Sequence, residues 1–123
     1  MGKPRKPVHA SPIFTINLEM GMPPVDQALA RLDRELTLAR QQRRSIIKLI
    51  HGYGSSGTGG DIRIAVQKRL RELQDQGSIR ACIFGEDWSA SDAHAWALLK
   101  LQPALKADPD LGKRNPGITI VVR

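Results

Sequence analysis

The segment that most constrains this chain is a glycine-rich loop between a strand and a helix. Residues 51–60 read His-Gly-Tyr-Gly-Ser-Ser-Gly-Thr-Gly-Gly. The nearly continuous apolar run Ser45–Ile50 before the loop predicts a buried strand. Apolar residues at helical spacing follow it: Ile62, Val66, Leu70 and Leu73. Glycines at a helix N-terminus let backbone N–H groups approach an anion, so the loop is a candidate phosphate site.

The elements on either side of this loop predict one α/β domain over residues 13–123. The predicted elements are a strand over Ile13–Leu18, a helix over Pro24–Gln41, a strand over Ile79–Phe84, a short helix capped by Ser89 or Ser91, and a strand over Ile118–Val122. Right-handed crossovers between them predict an α+β two-layer sandwich. Its four-stranded sheet is mixed and largely parallel, with the two long helices on one face. Residues 1–12 are predicted to be a flexible basic tail.

Length and composition exclude several classes of protein. With 123 residues, of which 41% are hydrophobic, the chain suits a single domain with its own core. No apolar run approaches the roughly 20 residues of a membrane-spanning helix, so we expect no membrane association. A single cysteine, Cys82, excludes an intramolecular disulfide and a cysteine-based metal site. The basic start has no apolar stretch behind it, and we expect a cytoplasmic protein.

The charge balance favours an acidic partner, and nucleic acid first. The chain has nineteen Lys and Arg residues and twelve Asp and Glu residues, which gives a net charge of +7. Residues 86–110 are the exception, with two lysines against five carboxylates. The few aromatic residues argue against a broad base-stacking surface. The alternative is a soluble domain whose charge only keeps it in solution.

The loop supplies most of the candidate phosphate-binding residues. They are Gly52, Tyr53, Gly54, Ser55, Ser56, Gly57, Thr58, Gly59, Gly60 and, in the first turn of the helix that follows, Arg63. No lysine lies in the loop, which argues against a Walker A nucleotide site. A literal G-x-G-x-x-G match is present, but too few strands remain for a dinucleotide fold. The alternative is a connector whose hydroxyl groups cap the helix.

His51 is the candidate for proton transfer. It ends the second strand, where ligands gather in parallel sheets, and an imidazole can exchange protons or contact a phosphate. Glu19 ends the neighbouring strand and is expected near His51. The alternative is a structural histidine that orders the loop by a hydrogen bond. No spacing of histidines or cysteines predicts a metal site.

Two stretches of the sequence resemble the small MutS-related (Smr) domain, over roughly residues 13–123. His51–Gly54 is similar to that family's HGxG motif, and Asn115–Val122 resembles its final strand. At the place of the LDxH motif the chain reads Leu18–Gly21, with Glu19 for the aspartate and Gly21 for the histidine. The resemblance is to a compact, stand-alone bacterial branch. It implies a fold like the C-terminal domain of translation initiation factor three.

The resemblance implies nucleic-acid binding and, for some members, nicking or cleavage. The first hypothesis is therefore a monomeric DNA- or RNA-binding domain that grips the phosphate backbone through the glycine-rich loop, without a cofactor. The second is a structure-selective endonuclease, a phosphodiester hydrolase that uses His51 and Glu19 with or without Mg²⁺ or Mn²⁺. Gly21 weakens it, because the second histidine is missing. The third is a ribosome- or protein-interaction module.

Overall fold

Four strands form one mixed sheet in the computed structural model, which describes residues 12–53 and 58–123. The strands are β1 (Ile13–Asn17), β2 (Ile46–Ile50), β3 (Ala81–Phe84) and β4 (Ile118–Val122). Their order across the sheet is β1-β2-β4-β3. β1 and β2 are parallel, and β4 is antiparallel to both of its neighbours. Three of these four strands therefore point the same way, which confirms the predicted mixed sheet.

The last strand in the chain lies inside the sheet, between β2 and β3. Ile118 to Val121 are all buried, as suits a β-branched strand with neighbours on both sides. Among the strands that the structure describes, β1 and β2 form the one parallel ladder, and β4 separates β2 from β3 and pairs with both.

The two long helices cover one face of the sheet, as predicted. They are α1 (Val25–Gln41) and α2 (Thr58–Asp75). The core beneath them draws on alternate strand residues, which point to one face: Ile16, Ile47, Leu49 and Val121, with Ala28, Leu32, Ile62, Val66 and Leu70 from the helices. No helix in the described parts of the chain is long and apolar enough to cross a membrane.

The opposite face of the sheet is covered by a thinner layer. A short helix, α3 (Ala93–Leu101), and 3-10 turns at 85–87 and 103–107 form a thinner third layer. Its buried residues pack on the other alternate strand residues: Trp88, Ala95, Leu98, Leu99 and Leu105 meet Ile46, Ile83, Ile118 and Ile120. The cap of α3 is Asp92, whose carboxylate accepts the Ala95 N–H at 3.0 Å. The predicted caps, Ser89 and Ser91, hydrogen-bond to each other instead.

A buried ion-pair cluster ties this third layer to the sheet. Lys48 lies in the middle of β2, and its Nζ is 2.9 Å from an Asp108 carboxylate oxygen and also pairs with Asp110. The second Asp108 oxygen accepts the Trp88 indole N–H at 2.9 Å. The Lys48 and Asp108 side chains are only 7% and 6% exposed. Lys48 thus holds residues 108–110, which precede β4 in the chain, against the sheet.

Two residues after α1 ends, Arg43 adopts the left-handed backbone conformation. Arg43 has φ +57°, its N–H donates to Arg40 O, and the next N–H, of Arg44, donates to Ala39 O at 2.8 Å. Gly77 fills the same position after α2, with φ +79°. The left-handed region costs a side chain roughly 1–2 kcal/mol, and a glycine much less.

We therefore expect Arg43→Gly to stabilise the protein by about 1 kcal/mol, since it removes that strain. Urea unfolding followed by circular dichroism measures the change. Gln42→Gly is the matched control, because Gln42 has φ −89° and gains nothing from glycine there. A destabilised Arg43→Gly variant would contradict the prediction.

Candidate functional site

The candidate site lies at the edge of the sheet where β1, β2 and β3 end and β4 begins. We call this the carboxyl edge and define it by Glu19, residues 51–53, the start of α2, residues 85–87 and residues 115–117. Ligands of sheets with parallel strands bind at this kind of edge. The sequence prediction that the ends of β1 and β2 lie together is confirmed, since Asn17 pairs with Ile50.

His51 lies beneath this edge, and its side chain is fully buried. Its Nδ1 lies 2.7 Å from the Gly52 carbonyl oxygen, which can only accept, so Nδ1 carries the proton. Its Nε2 is 2.9 Å from the Thr119 hydroxyl and accepts from it. Burial lowers the pKa of His51, which the Gly52 carbonyl only partly opposes, so the ring is neutral at neutral pH. This arrangement supports the structural alternative, a histidine that orders the loop.

The backbone at His51 and Gly52 is fixed by the start of β4. Both N–H groups donate to the Gly117 carbonyl, at 2.9 and 3.1 Å. Gly52 has φ +73°, and a Cβ at this position would overlap the Glu19 carboxylate. Glu19 therefore lies beside the His51-Gly52 backbone, as predicted. It also contributes a small electrostatic effect that favours protonation of the buried ring.

Gly52→Ala is expected to destabilise the protein by roughly 1–2 kcal/mol, the cost of a side chain in the left-handed region. The new methyl group meets the Glu19 carboxylate, but this carboxylate is the end of a flexible side chain and can move aside. Gly112→Ala is the matched control, with φ +81° and nothing within 4 Å of its Cβ position. Urea unfolding should give similar losses of stability for the two variants. A clearly larger loss for Gly52→Ala would show that Glu19 cannot move away from the new methyl group.

α2 begins earlier than the sequence predicted. Its first residue is Thr58, so Thr58, Gly59 and Gly60 form its first turn and are not part of the loop. Arg63 consequently lies in the second turn, not the first. Glycine is tolerated at a helix start because those N–H groups have no intrahelical partner. The predicted phosphate-binding residues 54–57, namely Gly54, Ser55, Ser56 and Gly57, lie outside the described residues.

Arg63 is paired with an acidic residue after β3. Its guanidinium is 2.5 Å from a Glu86 carboxylate oxygen, and its side chain is 30% exposed. Its Nε is buried and has no hydrogen-bond partner among the residues that the structure describes. The pair links α2 to the end of β3 across 23 positions, which no local pattern in the sequence reveals. A phosphate can therefore contact the Arg63 guanidinium only if it shares this group with the Glu86 carboxylate or displaces that carboxylate.

Tyr53 is an exposed aromatic residue of the carboxyl edge, with 56% of its surface in solvent. Its ring lies over Gly117, where a Cβ would approach it to 3.3 Å. Asn115 holds that turn: its side-chain oxygen accepts the Gly117 N–H at 2.8 Å, and its amide donates to Asp110. The sequence did not connect Asn115 and Gly117 with Tyr53. The one sequence signal for this contact was Gly117, a glycine directly before a buried strand. Such a glycine indicates that another part of the chain packs closely against its backbone.

Nothing in the described ranges resembles a metal centre. No group of three or more His, Cys, Asp or Glu side chains there could hold an ion.

Comparison with solved structures identifies the architecture. The crystal structure of the Smr domain of Thermus thermophilus MutS2 matches with a TM-score of 0.54 and 23% sequence identity, over 89% of this chain and 95% of that domain. The chain folds as an Smr-type domain. No family model and no curated protein matches its sequence. The Smr-type fold agrees with the resemblance that the sequence shows around His51 and in the last strand.

Proposed function

We propose that this Smr-type domain binds DNA or RNA through the carboxyl edge. The observation that carries the proposal is the exposed Tyr53, which contacts the closely packed Gly52 and Gly117 backbone five positions before α2 begins. The net charge of +7 supports an anionic ligand. The resemblance to Smr domains also implies nucleic acid.

The proposed grip is on the phosphate backbone. The first N–H groups of a helix have no intrahelical partner, and at the start of α2 no large side chain of Gly59 or Gly60 shields them. The Tyr53 hydroxyl can donate to a phosphate oxygen. Lys113 and Arg114 are exposed in the turn before β4 and add positive charge. Such contacts give affinity without sequence preference, and binding weakens steeply with salt.

Removing the Tyr53 hydroxyl tests the proposal. A hydrogen bond to a charged group contributes about 1.5 kcal/mol or more, so Tyr53→Phe should weaken binding about tenfold, and Tyr53→Ala at least as much. Fluorescence anisotropy with labelled DNA duplex and RNA single strand, over a series of salt concentrations, measures both affinity and salt dependence.

Trp96→Ala is the matched control, because Trp96 is an exposed aromatic residue on α3, on the other face of the sheet. We expect it to bind within twofold of the wild type. Absence of binding to either nucleic acid at low salt would refute the proposal, as would equal losses for the Tyr53 and Trp96 variants.

Hydrolysis of the phosphodiester bond has less support than binding. His51 and Glu19 lie close together, but both ring nitrogens of His51 are engaged in buried hydrogen bonds. A nicking assay on supercoiled plasmid and structured RNA, with and without Mg²⁺ or Mn²⁺, tests this alternative. Nicking that a folded His51→Gln variant loses would restore the endonuclease hypothesis. Retention on ribosomes without binding to free nucleic acid would favour the interaction module.

A further inference from the structure

A row of arginines lies at the end of the sheet opposite the carboxyl edge. We call it the arginine edge and define it by Arg40, Arg43, Arg44, Arg80 and Arg123. Arg44 precedes β2, Arg80 directly precedes β3, and Arg123 directly follows β4. Because β4 is antiparallel and lies between β2 and β3, its end meets the starts of both neighbours. Arg40 lies in the last turn of α1 and lines a cavity together with Arg123, and the N–H of Arg43, two residues after α1, donates to Arg40 O.

Backbone hydrogen bonds hold these arginines in place. The Arg123 N–H donates to Ser45 O at 2.9 Å, and its side-chain Nε donates to Arg44 O at 2.8 Å. The Arg80 N–H donates to Val122 O at 2.8 Å. The Arg44 guanidinium lies 5.2 Å from the centre of the Phe14 ring. The backbone that carries the row is therefore fixed, and the side chains of Arg44 and Arg123 have contacts of their own.

Carboxylates do not neutralise the arginine edge. Three cations outside this edge are paired with carboxylates: Lys48 with Asp108 and Asp110, Arg63 with Glu86, and Arg69 with Asp33. Among the described residues, no carboxylate oxygen lies within 4.0 Å of a side-chain nitrogen of the five arginines. This holds also for the carboxylate of Asp75, in the last turn of α2. Their charge is thus available to an external anion.

The conformation of Arg43 is a second, independent observation. It has φ +57° and occupies the left-handed position that Gly77 fills after α2, as one of three residues other than glycine with positive φ in the described ranges, beside Met22 and Arg114. Residues held in sparsely populated backbone regions concentrate at functional sites, and an observed outlier motivates a functional hypothesis.

We propose that the arginine edge is a second contact surface for the phosphate backbone of nucleic acid, and the choice of nucleic acid rests on the proposed function. Neighbouring strands lie about 4.8 Å apart, so Arg44, Arg123 and Arg80 form a row roughly 10 Å long. A planar guanidinium matches phosphate oxygens, and regularly placed cations match a regularly charged polymer. Five residues of β2 separate the two edges by about 17 Å, so the edges contact different phosphates.

A charge-removal series tests this surface on the full chain. The triple variant Arg40→Gln, Arg43→Gly and Arg80→Gln removes three side chains that form no hydrogen bond or ion pair within the described residues, so the fold should survive. Lys68→Gln, Lys100→Gln and Lys106→Gln together are the matched control, since they remove the same charge from exposed positions on other surfaces. Circular dichroism and urea unfolding confirm that both variants fold.

Affinity for labelled DNA duplex is then measured by anisotropy over a series of salt concentrations. Each lost phosphate contact lowers the magnitude of the slope of log K against log salt by about 0.9, so the triple variant should lose about 2–3 from that magnitude. At low salt it should bind at least tenfold more weakly than the control. Equal slopes and affinities for the triple variant and the control would overturn the proposal.

The Tyr53 variants separate this inference from the proposed function. If the arginine variant binds like its control while Tyr53→Ala binds weakly, the arginine edge fails and the carboxyl edge stands. If Tyr53→Ala binds like the wild type while the arginine variant binds weakly, the carboxyl edge fails and the arginine edge stands. If the wild type binds no nucleic acid at low salt, both proposals fall.

Discussion

Lys48→Ala is expected to lower the free energy of unfolding by about 3–5 kcal/mol, the usual cost of breaking a buried ion pair. The substitution leaves Asp108 charged and only 6% exposed, with the Trp88 indole as its remaining side-chain donor. Urea unfolding measures the loss. Lys106→Ala is the control, an exposed lysine on the neighbouring 3-10 turn, and should change stability by less than about 0.5 kcal/mol.

Removing the charges together should cost less than removing the lysine alone. In Lys48→Met with Asp108→Asn and Asp110→Asn no buried charge is left without a partner, so much of the lost stability should return. If this triple variant is no more stable than Lys48→Ala, the loss comes from packing and not from an uncompensated charge.

Because of this ion pair, we expect the stability of the protein to fall both at low pH and at high pH. The hydrogen bond from Lys48 is the main cause that lowers the pKa of Asp110 below its ordinary 3.8, so the pair stabilises the fold above that pH and loses its contribution as pH falls through the lowered value. Burial alone would lower the pKa of Lys48, but the two carboxylates outweigh it and raise the pKa above 10.5. Stability is accordingly lost as pH rises through that raised value.

His51→Ala is expected to cost about 3 kcal/mol, because it empties a fully buried site and leaves the Gly52 carbonyl and the Thr119 hydroxyl without their partners. His94→Ala is the control, since His94 is exposed on α3, and should leave stability within about 0.5 kcal/mol of the wild type. A His51→Ala variant as stable as the His94 control would remove the structural role assigned to His51.

The pH dependence of stability identifies the role of His51 more sharply. Burial lowers the pKa of the folded histidine below 6.5, so the unfolded chain takes up the proton first. Stability should therefore fall as pH decreases from about 6.5 towards the lowered pKa. His51→Gln should abolish this component, and His94→Gln should retain it. An unchanged slope between pH 5 and 7 in His51→Gln would show that another group titrates there.

Local periodicity accounts for the elements that the sequence predicted well. The helical spacing of apolar residues predicted the start of α1 to within one residue. The β-branched run Ile118–Val122 predicted both ends of β4 correctly. These signals reside in neighbouring residues. The start of α2 was misplaced because Gly59 and Gly60 are weak helix formers, and packing of Ile62 overrides that local preference.

Contacts between distant residues account for what the sequence did not reveal. Lys48 meets Asp108 sixty positions away, and His51 meets Thr119 sixty-eight positions away. A lysine in an apolar strand and a histidine at a strand end carry no sign of those partners. Of the candidate site, the proximity of Glu19 to His51 was predictable from parallel pairing, whereas the burial of the imidazole depends on β4.

The position of β4 also sets an order on folding during synthesis. The β1-α1-β2 unit can pair as soon as it has been made, because its contacts are parallel and sequential. β3 has no partner in the sheet until β4 arrives, since both of the remaining ladders run through Ile118–Val122. A ribosome-bound chain therefore carries the unpaired inner edges of β2 and β3 until its last strand is released, and in that interval a chaperone or a second nascent chain can compete for them.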